Sequence, residues 1–164
     1  MLIRRAERGD LEAMLDIYND EVAHGTATFD VDPRGLSEGE RWLRAHNTGN
    51  HPLLVAEEDG AVLGYASLSP YREWDAYLQT VELSVYVGAA FRRRGVAAAL
   101  MEEILRLARE DAGTHVVVSV ISGDNAASVR LHERFGFTCC GTLHEVGLKF
   151  GAYLDIVNYE LRVG

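Results

Sequence analysis

The sequence predicts one α/β domain of the mixed α+β type, in which about four helices flank a sheet of about seven strands. Seven short runs have the alternating or continuous apolar character of strands, and four longer runs carry apolar residues at helical spacing. The chain has 164 residues, 48% of them hydrophobic and 25% charged, which is an ordinary globular composition with enough length for one core. We therefore expect a single domain over residues 1–164.

The first third of the chain predicts a strand, two helices and a loop. Leu2–Arg5 is the strand, and Asp10 is expected to cap the first helix because a run with one apolar face follows it. His24–Asp30 lacks periodicity and predicts a loop of the kind that often lines a site. Ser37 and Glu40 have the spacing of a capping box, which predicts a short second helix.

The middle of the chain predicts a hairpin and a third long strand. Gly49-Asn50 is expected to end the second helix, and Leu53–Glu57 and Val62–Leu68 read as strands joined by a tight turn. The polar and aromatic connection Tyr71–Gln79 leads to the strand Thr80–Val87.

The C-terminal half alternates between strands and helices. A helix is expected over Val96–Glu110 and a short buried strand over Val116–Ile121. A further helix is capped by Asp124-Asn125 and ends at Gly136, where glycine permits a left-handed residue. Two strands, Thr138–Gly147 and Tyr153–Arg162, complete the chain.

The turn Arg92-Arg93-Arg94-Gly95-Val96-Ala97 lies between a predicted strand and the strongest predicted helix. The first N–H groups of a helix have no internal partners and lie at the positive end of its dipole. The turn therefore predicts a site for a phosphorylated ligand. The alternative is that the three arginines form only a solvated turn.

Charge and cysteine usage exclude several classes of protein. The formal net charge of −9 argues against general binding to nucleic acid or anionic membranes. No apolar signal region or membrane-length run is present, so we expect a cytoplasmic protein. Cys139 and Cys140 are adjacent and are expected to be packing residues rather than a disulfide or zinc pair. No metal is expected, because the six histidines show no ligand spacing such as HExxH.

The turn and the helix after it resemble the acyl-CoA binding core of the GNAT family of N-acetyltransferases. The turn matches the family pattern as Arg92-x-x-Gly95-x-Ala97, and Asn125 precedes a helix that ends in Leu131-His132-Glu133-Arg134-Phe135-Gly136-Phe137. The resemblance runs from Ile3 to the C-terminus. It implies a single domain around a central, mostly antiparallel mixed sheet.

Several stretches narrow the resemblance to the phosphinothricin and methionine sulfoximine acetyltransferase branch. They are Ile17-Tyr18-Asn19, Thr26-x-Thr28-Phe29, Thr80-Val81-Glu82-x-Ser84-Val85-Tyr86-Val87, Asn125-x-x-Ser128 and Val146-Gly147-x-Lys149-Phe150-Gly151. The branch implies a homodimer that transfers acetyl from acetyl-CoA to the α-amine of a small amino-acid analogue such as methionine sulfoximine, methionine sulfone or phosphinothricin. The alternatives are a peptide N-terminus or a polyamine as acceptor, or a non-catalytic acyl-CoA binding module.

The resemblance assigns the acetyl-CoA site to backbone and side chains around the turn. The pyrophosphate would lie on the N–H groups of Arg93–Ala98, and Val85 and Val87 would pair with the pantetheine arm as an added strand does. Asn125 contacts the pantetheine or caps its helix, two roles that are compatible, and Ser128 contacts CoA or is an exposed serine. The predicted residues are Val85, Tyr86, Val87, Arg92, Arg93, Arg94, Gly95, Val96, Ala97, Ala98, Asn125 and Ser128.

Two titratable residues are the catalytic candidates. The acceptor amine must lose a proton before attack, and Glu82 is the candidate base on the strand that bears the thioester contacts. His132 stands where the broader family has a tyrosine, and it is the candidate acid for the leaving thiolate. The alternatives are a surface carboxylate for Glu82 and a structural histidine for His132.

The acceptor site is predicted from a carboxylate partner and nearby aromatic residues. Arg72 would bind an amino-acid carboxylate through its guanidinium. The sequence Glu73-Trp74-Asp75 departs from the branch, where basic or proline residues are usual, and this departure could weaken the clamp or select another amine. The predicted acceptor residues are Phe29, Arg72, Glu73, Trp74, Tyr77, Glu82, Leu83, Ser84 and Lys149; core packing is the alternative for Phe29 and Tyr77, and a solvated charge for Lys149.

Overall fold

Seven strands form one mixed sheet in the computed structural model, which describes all residues from Met1 to Gly164. In chain order the elements are β1 (Leu2–Arg5), α1 (Leu11–His24), α2 (Leu36–Arg44), β2 (Leu53–Glu58), β3 (Ala61–Pro70), β4 (Thr80–Val87), α3 (Val96–Glu110), β5 (Val116–Ser122), α4 (Ala126–Arg134), β6 (Thr138–Lys149) and β7 (Ala152–Arg162). The strand order is β1-β2-β3-β4-β5-β7-β6, and every neighbouring pair is antiparallel except β4 and β5. The predicted fold class is confirmed.

The sheet is covered on both faces. Successive side chains of a strand point to opposite faces, so Leu53 and Val55 of β2 pack with α1 while Leu54 and Ala56 pack with α3. α2 lies beside α1, and α4 adds partly buried apolar side chains to the α3 side. The two layers together hold β4, the strand that leads to the arginine turn, in the middle of the sheet.

Two predicted helix caps are wrong because tertiary contacts replace them. The Asp10 carboxylate accepts hydrogen bonds from the Arg4 guanidinium (2.8 Å) and the Glu7 amide (2.7 Å), so it closes the turn before α1 and does not cap α1. α2 begins after Gly35 without a capping box. The Asn19 side chain instead fixes this entry, accepting from the Arg34 amide at 2.8 Å and donating to its carbonyl at 3.0 Å.

The outer edge of the sheet also differs from the prediction. β6 pairs only with β7, and its side chains are largely exposed. Cys139 and Cys140 therefore lie at the surface, and the prediction that they are packing residues is wrong. None of the four helices is long and apolar enough to cross a membrane.

Candidate active site

A cleft opens where β4 and β5 part. The two strands are paired only from Thr80–Glu82 to Val116–Val118. Beyond Glu82, β4 continues along β3 to Val87, while residues Ser119–Ser122 of β5 follow β7. The facing edges of β4 and β5 consequently have no strand partner in this part of the sheet. An extended ligand can pair with such an edge as an additional strand does.

The cleft has a volume of about 650 Å³ and is closed by the N-terminal ends of α3 and α4 and the C-terminal end of α1. It brings together most of the residues predicted to bind the donor. Those that line it are Val85, Tyr86, Val87, Arg92, Arg93, Gly95, Val96, Ala97, Ala98, Asn125 and Ser128. The predicted acceptor residues Leu83 and Ser84 and the catalytic candidate His132 line it as well. Arg94 is the one predicted donor-binding residue outside the lining.

The backbone of the arginine turn is shaped for an anion. Gly95 is the N-cap of α3 with a left-handed φ of 81°, a conformation that glycine adopts without steric cost. The first intrahelical bond runs from the Ala99 amide to the Gly95 carbonyl, at 3.0 Å. The amides of Val96–Ala98 are thus left for another acceptor. These residues fit the pyrophosphate of CoA, and the helix dipole adds to that fit.

The three arginine side chains differ in their partners. Arg92 donates to the Glu21 carboxylate at 3.0 Å, and Arg94 forms an ion pair with Glu58 away from the cleft. Arg93, with a left-handed φ of 61°, has no carboxylate partner. It is therefore the arginine of this turn that is free to bind an anion without first giving up an ion pair.

The α4 side of the cleft centres on His132. The Asn125 side chain caps α4 by accepting from the Ser128 amide at 3.1 Å, which confirms the capping role. His132 is buried; its Nδ1 lies 2.7 Å from the Ser128 carbonyl, and its Nε2 lies 2.9 Å from the Ser119 hydroxyl. Since a carbonyl only accepts, Nδ1 carries the proton, and Nε2 of the neutral ring accepts from Ser119.

Burial lowers the pKa of His132, and the bond to the Ser128 carbonyl only partly opposes this effect. The neutral ring therefore dominates at neutral pH and has no free N–H to offer to a thiolate. Ser119, which also lines the cleft, is the polar neighbour through which His132 reaches a ligand. The sequence analysis missed Ser119, because a serine in an apolar strand carries no signal of its own.

Glu82 lies at the last paired position before β4 and β5 part. Its side chain is half-buried, and this burial raises the pKa of the carboxyl, while the positive charge of Arg72 lowers it. A raised pKa makes a carboxylate a better proton acceptor near neutral pH. Glu82 shares one face of β4 with Ser84 and Tyr86, so it lies beside the cleft without lining it.

Apart from Leu83 and Ser84, the predicted acceptor residues lie outside the cleft. The Arg72 guanidinium lies 4.8 Å from the centre of the Tyr71 ring and belongs to none of the ion pairs. Neither Glu73 nor the nearby Asp75 pairs with it. Trp74 is 69% exposed, and its ring lies 6.2 Å from that of Tyr77, which is also exposed. The connection between β3 and β4 thus offers an unpaired guanidinium beside two aromatic surfaces.

Phe29 and Lys149 take part in separate contacts between the loop after α1 and the strand β6. Phe29 is 38% exposed, whereas Lys149 is only 4% exposed. Its ammonium donates to backbone carbonyls and not into the cleft, so Lys149 is not a solvated charge. The loop itself was expected to line a site, and its residues Gly25–Ala27 do line the cleft.

No group of three or more His, Cys, Asp or Glu side chains is placed to hold a metal ion.

Comparison with known proteins identifies the family. The profile of the acetyltransferase (GNAT) family matches residues 11–137. The chain is 38% identical over 163 residues to the L-methionine sulfoximine/L-methionine sulfone acetyltransferase of Salmonella typhimurium, covering 99% of this chain and 95% of the relative. It is 41% identical over 162 residues to a phosphinothricin N-acetyltransferase of Streptomyces coelicolor, covering 96% of this chain and 94% of that relative.

A solved structure gives the same result. That of yncA from Salmonella typhimurium with its cofactor acetyl-CoA is 38% identical, covers 100% of this chain and 94% of the other, and superimposes with a TM-score of 0.96. The chain belongs to the GNAT family. It is an N-acetyltransferase that uses acetyl-CoA as donor, related to the methionine sulfoximine and phosphinothricin N-acetyltransferases.

Proposed function

We propose that this enzyme acetylates the α-amine of a small amino-acid analogue such as L-methionine sulfoximine, methionine sulfone or phosphinothricin. One observation carries the proposal. A carboxylate with a raised pKa, Glu82, lies at the point where the donor cleft opens, within electrostatic reach of the unpaired Arg72. Such a base and such a cation suit an α-amino acid, which carries both an ammonium group and a carboxylate.

The roles follow from the chemistry of amide formation. Glu82 accepts the proton that the ammonium group must lose before its nitrogen can attack a thioester. Arg72 holds the α-carboxylate by charge-assisted hydrogen bonds and so fixes the amine beside Glu82. The free edge of β4 near Val85 supplies a backbone N–H for the oxygen on which negative charge develops. His132 and Ser119 line the opposite wall, where the CoA thiolate leaves. The nitrogen loses its second proton as the amide forms, and this proton converts the thiolate into the free thiol of CoA.

The donor site is proposed to be the cleft. The amides of Val96–Ala98 and the Arg93 side chain bind the pyrophosphate, and the unpaired edges of β4 and β5 hold the pantetheine arm. The side-chain NH2 group of Asn125 donates to no protein atom, and Asn125 lines the same cleft. Acetyl-CoA supplies the activated acetyl group when it is bound there.

The test is an assay of thiol release from acetyl-CoA across a panel of acceptors. We expect turnover with the three named analogues and a large loss with matched compounds that lack the α-carboxylate. Faster release with peptides that begin with alanine or serine, or with polyamines, would replace the proposed acceptor class by one of those alternatives. Equal turnover with and without the α-carboxylate would show that Arg72 does not bind the acceptor.

We further propose that the enzyme is a homodimer joined through β6 and its turn to β7. Large apolar side chains are exposed there, namely Leu143, Val146, Leu148, Phe150 and Tyr153. Several exposed apolar side chains on an edge strand are typical of an interface between subunits. Sedimentation equilibrium should give twice the chain mass, and a Leu148→Glu variant should sediment as a monomer. A wild-type monomer at micromolar concentration would contradict this proposal.

The cytoplasmic location stays a prediction.

A further inference from the structure

Lys149 is the only lysine in the chain; all its other basic residues except the histidines are arginine. It is also buried, unlike any of the arginines. Burial of a cation is costly unless its hydrogen bonds are satisfied. The burial of this single lysine therefore needs a structural or functional explanation.

The Lys149 ammonium fixes the loop after α1 by hydrogen bonds to its backbone and to the end of α1. Nζ donates to the Thr28 carbonyl at 2.8 Å and to the Glu21 carbonyl at 3.3 Å. Glu21 belongs to the last turn of α1, whose C-terminal carbonyls carry the negative end of the helix dipole. A compact ammonium reaches two carbonyls in a narrow space, whereas the planar guanidinium of arginine is larger and has fixed donor directions.

A second contact fixes the same loop. It is made by Gly147, which lies two residues before Lys149 on β6. A Cβ atom placed on Gly147 would lie 2.8 Å from the nearest atom of the Phe29 ring. The ring therefore lies directly on the Gly147 backbone, and any side chain at this position would displace it. Phe29 is the residue next to Thr28, so Lys149 and Gly147 fix adjacent points of one loop.

This loop lies on the face of β4 that carries Glu82. The Tyr18 hydroxyl lies 2.8 Å from the Thr28 hydroxyl, and the Tyr18 and Tyr86 rings contact edge to face at 5.4 Å. Tyr86 and Glu82 point to the same face of the strand. Phe29 follows Thr28 in the chain and is 38% exposed, so its ring is available as a wall on this face of β4.

We infer that Lys149 and Gly147 are positioning residues that hold Phe29 as an apolar wall of the acceptor site, and that Lys149 does not itself contact the acceptor. The inference rests on the proposed function for the identity of the acceptor. The donor side should be spared, because the part of the loop that lines the cleft has its own anchors. The Ala27 amide donates to the Glu21 carboxylate at 3.0 Å, and Thr26 donates to Asp124 at 2.9 Å.

Kinetics with Lys149→Met and Gly147→Ala test the inference, with Gly9→Ala as the matched control because a Cβ there meets no atom. Both variants should raise the acceptor KM by about tenfold and leave the acetyl-CoA KM within about twofold. The rise should be the same for L-methionine sulfone and its methyl ester. A loss with Lys149→Met for the free acid alone would show that the ammonium binds the carboxylate and would overturn the inference.

A readout without substrate separates this inference from the proposed function. Lys149 and the N-terminus carry the only amino groups that an acetylating reagent can convert to amides, and the N-terminus serves as the internal reference. Gly147→Ala should speed modification of Lys149 by about tenfold relative to Met1, and both variants should speed amide exchange at Phe29. Unchanged labelling and exchange would overturn the positioning role even if the enzyme acetylates every predicted acceptor. If no amino acid is acetylated, the labelling result still decides the positioning role.

Discussion

The donor half and the proposed acceptor half of the site are built in opposite ways. The donor half is the cleft between β4 and β5 with the turn Arg92–Ala98 and α4, and it consists largely of backbone groups on regular elements. The acceptor half is Phe29 with the connection Tyr71–Gln79, and it consists of side chains on exposed segments. Glu82 lies between the two halves.

This difference separates what the fold dictates from what single side chains dictate. β4 and β5 part while each keeps its other strand partner, β3 and β7, so the donor half is made of backbone that many sequences can form. Arg72 and Trp74 have few contacts with the core, so they can change without unfolding the domain. We therefore expect substitutions to act on the Michaelis constant of one substrate and not the other, except at Glu82.

Replacing Glu82, the junction of the two halves, should have the largest effect. In Glu82→Gln the group that accepts the amine proton is lost, and kcat should fall by about 10²- to 10⁴-fold. Affinity for acetyl-CoA, measured by titration calorimetry, should remain as in the wild type. Glu102→Gln, which removes an exposed carboxylate from α3, is the control. Unchanged kcat in Glu82→Gln would remove the proposed base.

Gly95→Val should impair the donor half alone. Valine is strained at a φ of 81°, so the first amides of α3 would shift, and we expect the acetyl-CoA KM to rise at least about tenfold. Gly60→Val is the matched control, because Gly60 has a φ of 79° in the remote turn between β2 and β3. A similar rise in the control, or a rise in the acceptor KM instead, would contradict the assignment of the turn.

Arg72→Leu should impair the acceptor half alone. Loss of a charge-assisted bond at an exposed site predicts a rise of about tenfold in the acceptor KM, with the acetyl-CoA KM unchanged. Initial rates with L-methionine sulfone and its methyl ester provide the check. The ester should be nearly insensitive to the substitution, whereas an equal loss for both compounds would argue against a carboxylate contact.

The smallest expected effect is a shift in the pH profile. Because burial raises the pKa of Glu82, kcat/KM for the acceptor should fall with decreasing pH at values above the ordinary glutamate pKa of about 4.3. The Arg72 charge holds this pKa down, so the fall should move to higher pH in Arg72→Leu. A fall in kcat/KM at the pH of an ordinary glutamate would contradict the buried position of the Glu82 base. A shift of the profile to lower pH in Arg72→Leu would contradict its place beside Arg72.

The same contrast explains which features could be predicted from the sequence. The strand, turn and helix around Gly95 are local, so spacing alone located them, and the cap of α4 at Asn125 was equally local. Ser119 and the part of α1 that carries Glu21 reach the cleft only through long-range packing, which leaves no local pattern. The predicted cap at Ser37 was wrong for the same reason, since Asn19 fixes the start of α2 from a distant helix. The buried position of Lys149 depends on a contact across more than a hundred residues.

The most direct test of the central proposal is to identify the nitrogen that receives the acetyl group. L-methionine sulfoximine has two, the α-amine and the sulfoximine nitrogen, and NMR of the product labelled with ¹⁵N at the α-position distinguishes them. With Arg72 on the carboxylate and Glu82 beside the amine, we predict acetylation of the α-nitrogen only, with one CoA released for each product formed. Acetylation of the sulfoximine nitrogen, or release of CoA without an N-acetyl product, would contradict the proposal.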